Sequence, residues 1–276
     1  MQKMQKMLNT EIVAFDLETT GISSFVDRVV DIGAVRFLLG EANVDTFQQL
    51  VDPERDIPPA VTDIHGITDA DVKGQPLIGD VLPSFEKFIG SDTLLVAHNA
   101  PFDCSFLAAA YTASERTPPN NQIICSLRLF RLAFPHFENY KLETIGRRLG
   151  LIDHEEHRGL ADSLLLMRCL TLAFEVLPQF EYLDSLIAAS KVYRFTDFSS
   201  ANIVAPDEFV ELQLAIDDGC TLEIRYGEYP DLPILITPKM IFQQNNAYYV
   251  NAHCHYDESE KTYRLDRIVS YKVLQK

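Results

Sequence analysis

The chain has no tryptophan and only 12 glycines in 276 residues, which excludes a glycine-rich repeat or low-complexity scaffold. Long apolar runs are missing as well: none reaches the roughly 18 residues that a membrane-spanning helix needs. The start, MQKMQKMLNTE, lacks the apolar segment of a signal peptide. A cytoplasmic protein without membrane contact is expected. Cysteines are few and scattered: Cys104, Cys125, Cys169, Cys220 and Cys254 form no CxxC pair, and their odd number argues against a disulfide framework. Reduced thiols are expected. Cys254 stands between His253 and His255, but a zinc centre takes four well-placed ligands and no second cluster supplies the rest, so none is predicted there. Positive charge is also short. Lys+Arg number 24 against 40 Asp+Glu, a net −16; residues 1–178 carry 15 against 25, and residues 179–276 carry 9 against 15. Neither part has the basic surplus of a protein that grips duplex phosphates over a broad face. A short grip on a strand end is compatible with this balance.

Hydrophobic residues make up 47% and charged residues 23%, the balance of an ordinary globular protein, and the length suits two domains that each bury a core. IVAFDLETTG reads as a strand closed by a turn, and RVVDIGAVRFLLGEANVDTFQQLVDP as two more strands joined near Gly40 and Glu41. PLIGDVLPSFEKFIG has a helical spacing that puts Val81, Phe85 and Phe88 on one face. TLLVAHNA is a short strand, PFDCSFLAAAYTAS a helix, and NQIICSLRLFRLAF a strand running into a helix. KLETIGRRLG and ADSLLLMRCLTLAFEVL are helices. This order predicts an α/β fold, a mixed sheet with flanking helices. Residues 179–203 read as a linker, with Pro178 and Pro206 as punctuation. A helix from about Glu208 to Asp217 then leads into TLEIRYGE, PILITPKMIF, NAYYVNAHC and TYRLDRIVSYKVL, the pattern of a small, mostly β domain. The expected divisions are 8–178, 179–203 and 204–276.

Asp16 and Glu18 stand two apart in the first strand, so both carboxylates project from one face near its end. Two acids that close repel unless a cation lies between them. Asp103, in HNAPFD, follows a polar His98-Asn99 pair at the passage from strand to helix. In HRGLAD, with a helix beginning near Gly159, His157 lies in the approach and Asp162 in the early turns. Several carboxylates with open positions suit Mg²⁺ or Mn²⁺ and two-metal phosphodiester hydrolysis.

FDLETTG, HNAPFD and HRGLADS resemble the three motifs of the DEDDh, or DnaQ-like, 3′ to 5′ exonuclease family, which includes proofreading subunits of bacterial replicative polymerases. IPPAVTDIHGIT and YKLETIGRRLGL extend the resemblance over about residues 10 to 175. It implies a ribonuclease H-like fold, two Mg²⁺ or Mn²⁺ ions held by Asp16, Glu18, Asp103 and Asp162, and His157 as general base. His154 is a rival base that the motif register disfavours. Thr19, Thr20 and Gly21 are implied to meet the terminal nucleotide, and His65, His98 and Asn99 are further candidate substrate contacts. One departure is visible: several relatives carry a glutamate where this chain has Ala60. Nucleoside 5′-monophosphates would be released from a nucleic acid with a free 3′ end, in single-stranded form.

The strand-rich end resembles a WYL domain. Tyr248-Tyr249-Val250 stands for the naming triplet, and LEIRY and YRLDRI match an early and a late segment. An arginine common before the ITP segment is missing, with Ile234 nearest its place. The resemblance implies a module for a nucleotide or nucleic-acid effector, with Tyr248, Tyr249, Arg264 and Arg267 as candidate contacts. Two other readings compete with an independent exonuclease: a nucleotide-responsive regulator using the fold for binding, and a polymerase-associated proofreading subunit. The intact set of four acids and His157 disfavours the first, and the appended domain the second.

Overall fold

The computed structural model describes residues 10–24, 26–39, 41, 43–153, 156–198, 209–227, 232–244, 247–256 and 258–274. Gly40, His154 and Pro206 lie outside these residues. The chain divides into two compact units, residues 1–199 and 200–276. No helix among the described residues is long and apolar enough to cross a membrane.

The first unit is built on β1 (Glu11–Thr19), a nearly continuous run of buried residues of the kind a strand covered on both faces requires. It pairs antiparallel with β2 (Val29–Leu38) and parallel with β4 (Leu94–Ala97). With β3 (Asp45–Leu50), β5 (Ile123–Cys125) and β6 (Val192–Tyr193), the sheet order is β3-β2-β1-β4-β5-β6. Alternate residues of β1 feed two cores. Ile12 and Ala14 pack with Leu165, Leu166, Cys169 and Leu170 of α7 (Gly159–Glu175), whereas Val13, Phe15 and Leu17 pack with α3 (Ile78–Ile89) and α4 (Pro101–Ala113). Asp16 and Glu18 have the parity of Ile12 and Ala14, so both belong to the α7 face.

The remaining helices are α1 (Pro59–His65), α2 (Asp69–Val72), α5 (Ser126–Ala133), α6 (Leu142–Arg148) and α8 (Leu183–Ala189), with α9 (Val210–Asp217) opening the second unit. Helices α1 and α2 were not predicted, because seven and four residues are too few to show a 3.6-residue period. The segment 179–203, predicted as a linker, is folded onto the first unit as far as Phe198; residues 199–203 are outside the described ones. Phe180 and Leu186 enter one core, β6 pairs with β5, and the fully buried Phe195 packs edge-on against Phe15 at 6.3 Å in the other.

In the second unit β7 (Thr221–Tyr226), β8 (Pro233–Gln244), β9 (Ala247–Cys254), β10 (Ser259–Arg264) and β11 (Ile268–Leu274) form an antiparallel sheet of order β10-β9-β8-β7-β11. Leu212 and Ala215 of α9 cover its apolar face. TYRLDRIVSYKVL, predicted as a single strand, is two. A 3-10 turn at Leu265–Arg267 buries Leu265 and carries the chain between opposite edges of the sheet. The register of β8 shifts between Pro238 and Met240, where proline cannot donate to the ladder.

Candidate active site

The α7 N-terminus reaches the sheet through two glycines. A Cβ on Gly33 would lie 1.8 Å from the Gly159 carbonyl carbon, and one on Gly159 would lie 2.6 Å from the Gly33 nitrogen. Gly33 is the β2 partner of Asp16. This backbone contact brings the first turn of α7, with Asp162, to the strand bearing Asp16 and Glu18. One ligand oxygen from each of these three lies within 4.8 Å of the others. Asp103 arrives from the first turn of α4, where its buried Oδ1 accepts the Leu17 N–H at 3.2 Å, between the two β1 acids. Burial, followed by the charge of Glu18, pushes the Asp103 carboxyl well above its usual range, while the backbone N–H groups at Asp103 and Leu17 oppose the rise. All four acids and His157 line one cleft of about 650 Å³. Crowded hard oxygen donors of like charge fit a small divalent cation. His157 and Asn99, also on the cleft, have backbone φ of 50° and 62°, the left-handed region in which few non-glycine residues occur.

Several supporting residues were absent from the sequence reading. Asp31, wholly buried on β2 opposite Glu18, accepts at Oδ2 from Arg158 Nε and the Gly159 N–H, both at 3.3 Å, and from Gln48 Nε2 at 3.4 Å. Burial raises its pKa, and Arg158 is the first of the groups that oppose the rise. Asp31 thus ties the start of α7, directly after His157, to the sheet. The Ser163 hydroxyl, 2.7 Å from the Gly159 carbonyl and 3.0 Å from that of Gly33, spans the same crossing. Arg131 and Lys141 bring positive charge to the cleft, with the Arg131 guanidinium 5.5 Å from the Tyr140 ring centre. A buried acid in an otherwise apolar strand, RVVDIGAV, was the one legible sign of this layer.

Two predicted substrate contacts, His65 and His98, make hydrogen bonds within the protein, at one ring nitrogen and at both respectively. His65 is buried at the end of α1, where Nδ1 accepts the Ile67 N–H at 3.0 Å beyond left-handed Gly66. Burial lowers its pKa, with the Thr19 backbone opposing, and its buried Nε2 has no hydrogen-bond partner among the described residues. His98 touches the cleft, but its Nε2 donates to the Tyr140 carbonyl and its Nδ1 accepts from the Ser126 hydroxyl, both at 2.8 Å. Desolvation lowers its pKa to about 4, so the ring is a neutral strut. Thr19 and Thr20 are buried: the Thr19 hydroxyl bonds the Gly21 carbonyl, and the Thr20 hydroxyl accepts the Arg28 N–H at 3.0 Å. The Thr20 N–H also donates to the Arg28 carbonyl, at 2.8 Å.

In the second unit, Tyr249 pairs with Arg264 across β9 and β10. Arg264 makes two contacts of 2.8 Å with Asp266, so its fork already holds a carboxylate. Arg267 is exposed on the 3-10 turn, and Tyr248 and Tyr249 are half-buried.

The exonuclease family model matches residues 13–170, more than half of the chain, and the WYL domain model matches residues 207–273. Among curated relatives, the DNA polymerase III PolC-type of Clostridium perfringens is 35% identical over 175 residues, covering 63% of this chain and 12% of that protein. Its counterpart in Bacillus subtilis is 36% identical over 152 residues, covering 55% and 10%. The chain therefore spans about a tenth of the length of these relatives. A full-length 3′-exonuclease structure aligns with a TM-score of 0.56 and 21% identity over 66% of this chain and 65% of that one. The nuclease domain of 3′hExo, a DEDDh family member bound to rAMP, aligns at 0.54 and 21% over 62% and 94%. At this identity the likeness establishes fold alone, a ribonuclease H-like mixed sheet with flanking helices; the small antiparallel sheet of the second unit is separate from it.

Proposed function

The chain belongs to the exonuclease family, and we propose that it hydrolyses phosphodiester bonds at the 3′ ends of single-stranded nucleic acid, releasing nucleoside 5′-monophosphates. The observation that carries this reading is the meeting of Asp16, Glu18, Asp103, Asp162 and His157 around one cleft from three separate stretches of chain. The four acids are the residues to hold two Mg²⁺ or Mn²⁺ ions. Such ions, when bound, supply Lewis-acid polarisation of water and of the leaving 3′ oxygen. Asp103 is held by the Leu17 N–H, which orients its side chain toward the two β1 acids. His157 takes the proton from the attacking water as general base. Arg131 and Lys141, which line the cleft, contact phosphates of the arriving strand, and the turn from Thr19 to Gly21, directly after Glu18, is the stretch proposed to meet the terminal nucleotide. None of these groups addresses base edges, which favours little base preference. The polymerase relatives favour DNA as the substrate. The WYL domain serves as a regulatory or strand-holding module for a nucleotide or nucleic-acid effector.

The test is a time course on 3′- and 5′-labelled single-stranded DNA, RNA and duplex, with Mg²⁺ and with Mn²⁺. Mononucleotides should leave the 3′ end from the first time points. Asp16→Ala and Asp103→Ala should be folded and inactive, with weakened Mn²⁺ binding. Turnover at the wild-type level in either variant, free of contaminating nuclease, would refute the assignment.

A further inference from the structure

The AHCHY segment ends β9 on an arrangement that the nuclease chemistry does not use. Residues two apart on a strand share a face, so His253 and His255 project together while Cys254 turns into the core. The chain then returns toward β10, in which Ser259 pairs with Cys254. On this return Glu258, with its backbone at φ 52°, places Oε2 3.2 Å from Nε2 of His253. The two imidazoles lie 5.1 Å apart between centres, at 87° to each other. The Thr237 hydroxyl of β8, 2.8 Å from Nε2 of His255, fixes the second ring, and the His255 N–H bonds the Leu235 carbonyl at 3.0 Å. One ligand atom from each of His253, His255 and Glu258 lies within 4.8 Å of the other two.

We propose that His253, His255 and Glu258 form a second metal site, for a divalent transition metal of the zinc class, with the remaining coordination position left to water or an anionic ligand. Zinc bonds of about 2.0 to 2.1 Å in a tetrahedron set neighbouring ligand atoms about 3.3 Å apart. The His253–Glu258 contact is already such an edge. The other edges close by side-chain rotation, which the exposure of these groups permits: the side chains of His253 and Glu258 are 29% and 76% accessible. Two imidazoles, borderline nitrogen donors, beside one carboxylate favour zinc over Mg²⁺ or Mn²⁺, which prefer all-oxygen sites such as the acids of the first unit. A simple ion pair accounts for His253 and Glu258, and the Thr237 bond for His255, but neither accounts for the convergence of both rings and the carboxylate on one point. A metal there clips the chain between β9 and β10, and binding confined to the folded state raises the unfolding temperature of this unit.

The experiment is a calorimetric Zn²⁺ titration of the full chain in excess Mg²⁺, which masks the carboxylate site. One zinc per chain is expected, and it should persist in Asp16→Asn. His253→Ala and His255→Ala should each weaken binding by more than about 100-fold, since loss of an outer-shell partner alone costs 10- to 100-fold. Glu258→Gln should weaken it as well. Zinc retained at wild-type affinity in both histidine variants, or lost only in Asp16→Asn, overturns the proposal. Co²⁺ added to the wild type gives a readout that no variant's folding can confound. Intense visible bands of a low-coordinate nitrogen site support the proposal, and a weak octahedral spectrum alone overturns it.

Discussion

Replacing Gly33 by alanine tests whether the glycine crossing sets the catalytic geometry. The added Cβ would stand 1.8 Å from the Gly159 carbonyl carbon and 1.9 Å from the Leu160 nitrogen, where ordinary contact begins at 3.4 Å. The difference, 3.4 less 1.8, is about 1.6 Å of separation that backbone, having no rotamers, must supply. Asp162 sits in the same first turn of α7 and moves with it. Misplacing a reacting group by about 1 Å can cost about 10²-fold in rate, so Gly33→Ala should lose at least that factor. Overpacking typically costs about 1 to 3 kcal/mol, and loss of the Gly159 bond to Asp31 and the Ser163 bonds adds to it. A folded but poorly active protein is expected. The assay pairs single-turnover hydrolysis of 3′-labelled single-stranded DNA in Mn²⁺ with denaturant unfolding. Ser163→Ala, which removes one hydroxyl donor shared between the Gly159 and Gly33 carbonyls without a clash, serves as the control and should lose much less activity. A folded Gly33→Ala with activity within about threefold of wild type, a change under about 1 kcal/mol, would refute the reasoning.

His157→Ala should slow hydrolysis by about 10² to 10⁴, the usual share of a general base, while Mn²⁺ affinity measured by calorimetry is kept. His98, at about 4 in the fold against an ordinary 6.5, resists a proton that the unfolded chain accepts, so its stabilisation is whole above about pH 6.5 and disappears as pH falls toward 4. The loss is about 3 kcal/mol, and denaturant unfolding at pH 7.5 and 4.5 should show a shallower decline in His98→Gln than in wild type. A chain ending at residue 199 should fold and hydrolyse short substrates, whereas one ending at 180 loses β6 and the buried Phe195 and should be destabilised by at least the 3 to 5 kcal/mol of a phenylalanine truncation, about that much by thermal unfolding. Arg264→Ala/Arg267→Ala should make the log-log salt dependence of single-strand binding shallower by about 0.7, one phosphate contact, because Arg264 is engaged by Asp266.

What the sequence disclosed follows from the range of each interaction. β1 and α7 were legible because long apolar patterns mark their own ends, and the parity of Asp16 and Glu18 follows from strand geometry alone. The direction of an imidazole is not local information. His98 stands beside a motif, yet its orientation comes from Ser126 and Tyr140, 28 and 42 residues later. Asp31 is harder still, since its partners Arg158 and Gly159 lie 127 and 128 residues away. Helix α2 was missed despite a reciprocal capping box between Thr68 and Asp71, a signal that was available. The supposed linker misled because β6 has two residues and no period, so only the burial of Phe195 reveals its place.

Charge illustrates the same division between global and local information. A net of −16 argues against a broad hold on a phosphate backbone, yet it says nothing about a cleft that Arg131 and Lys141 line together with four carboxylates. Within a Debye length of about 8 Å at physiological salt, such near charges outweigh distant ones. Divalent ions among the acids would reverse the local sign there, adding to the positive charge that Arg131 and Lys141 bring to the cleft. An acidic protein can thus hold one nucleotide end while repelling the rest of a long polyanion, which favours engagement at the terminus over binding along its length.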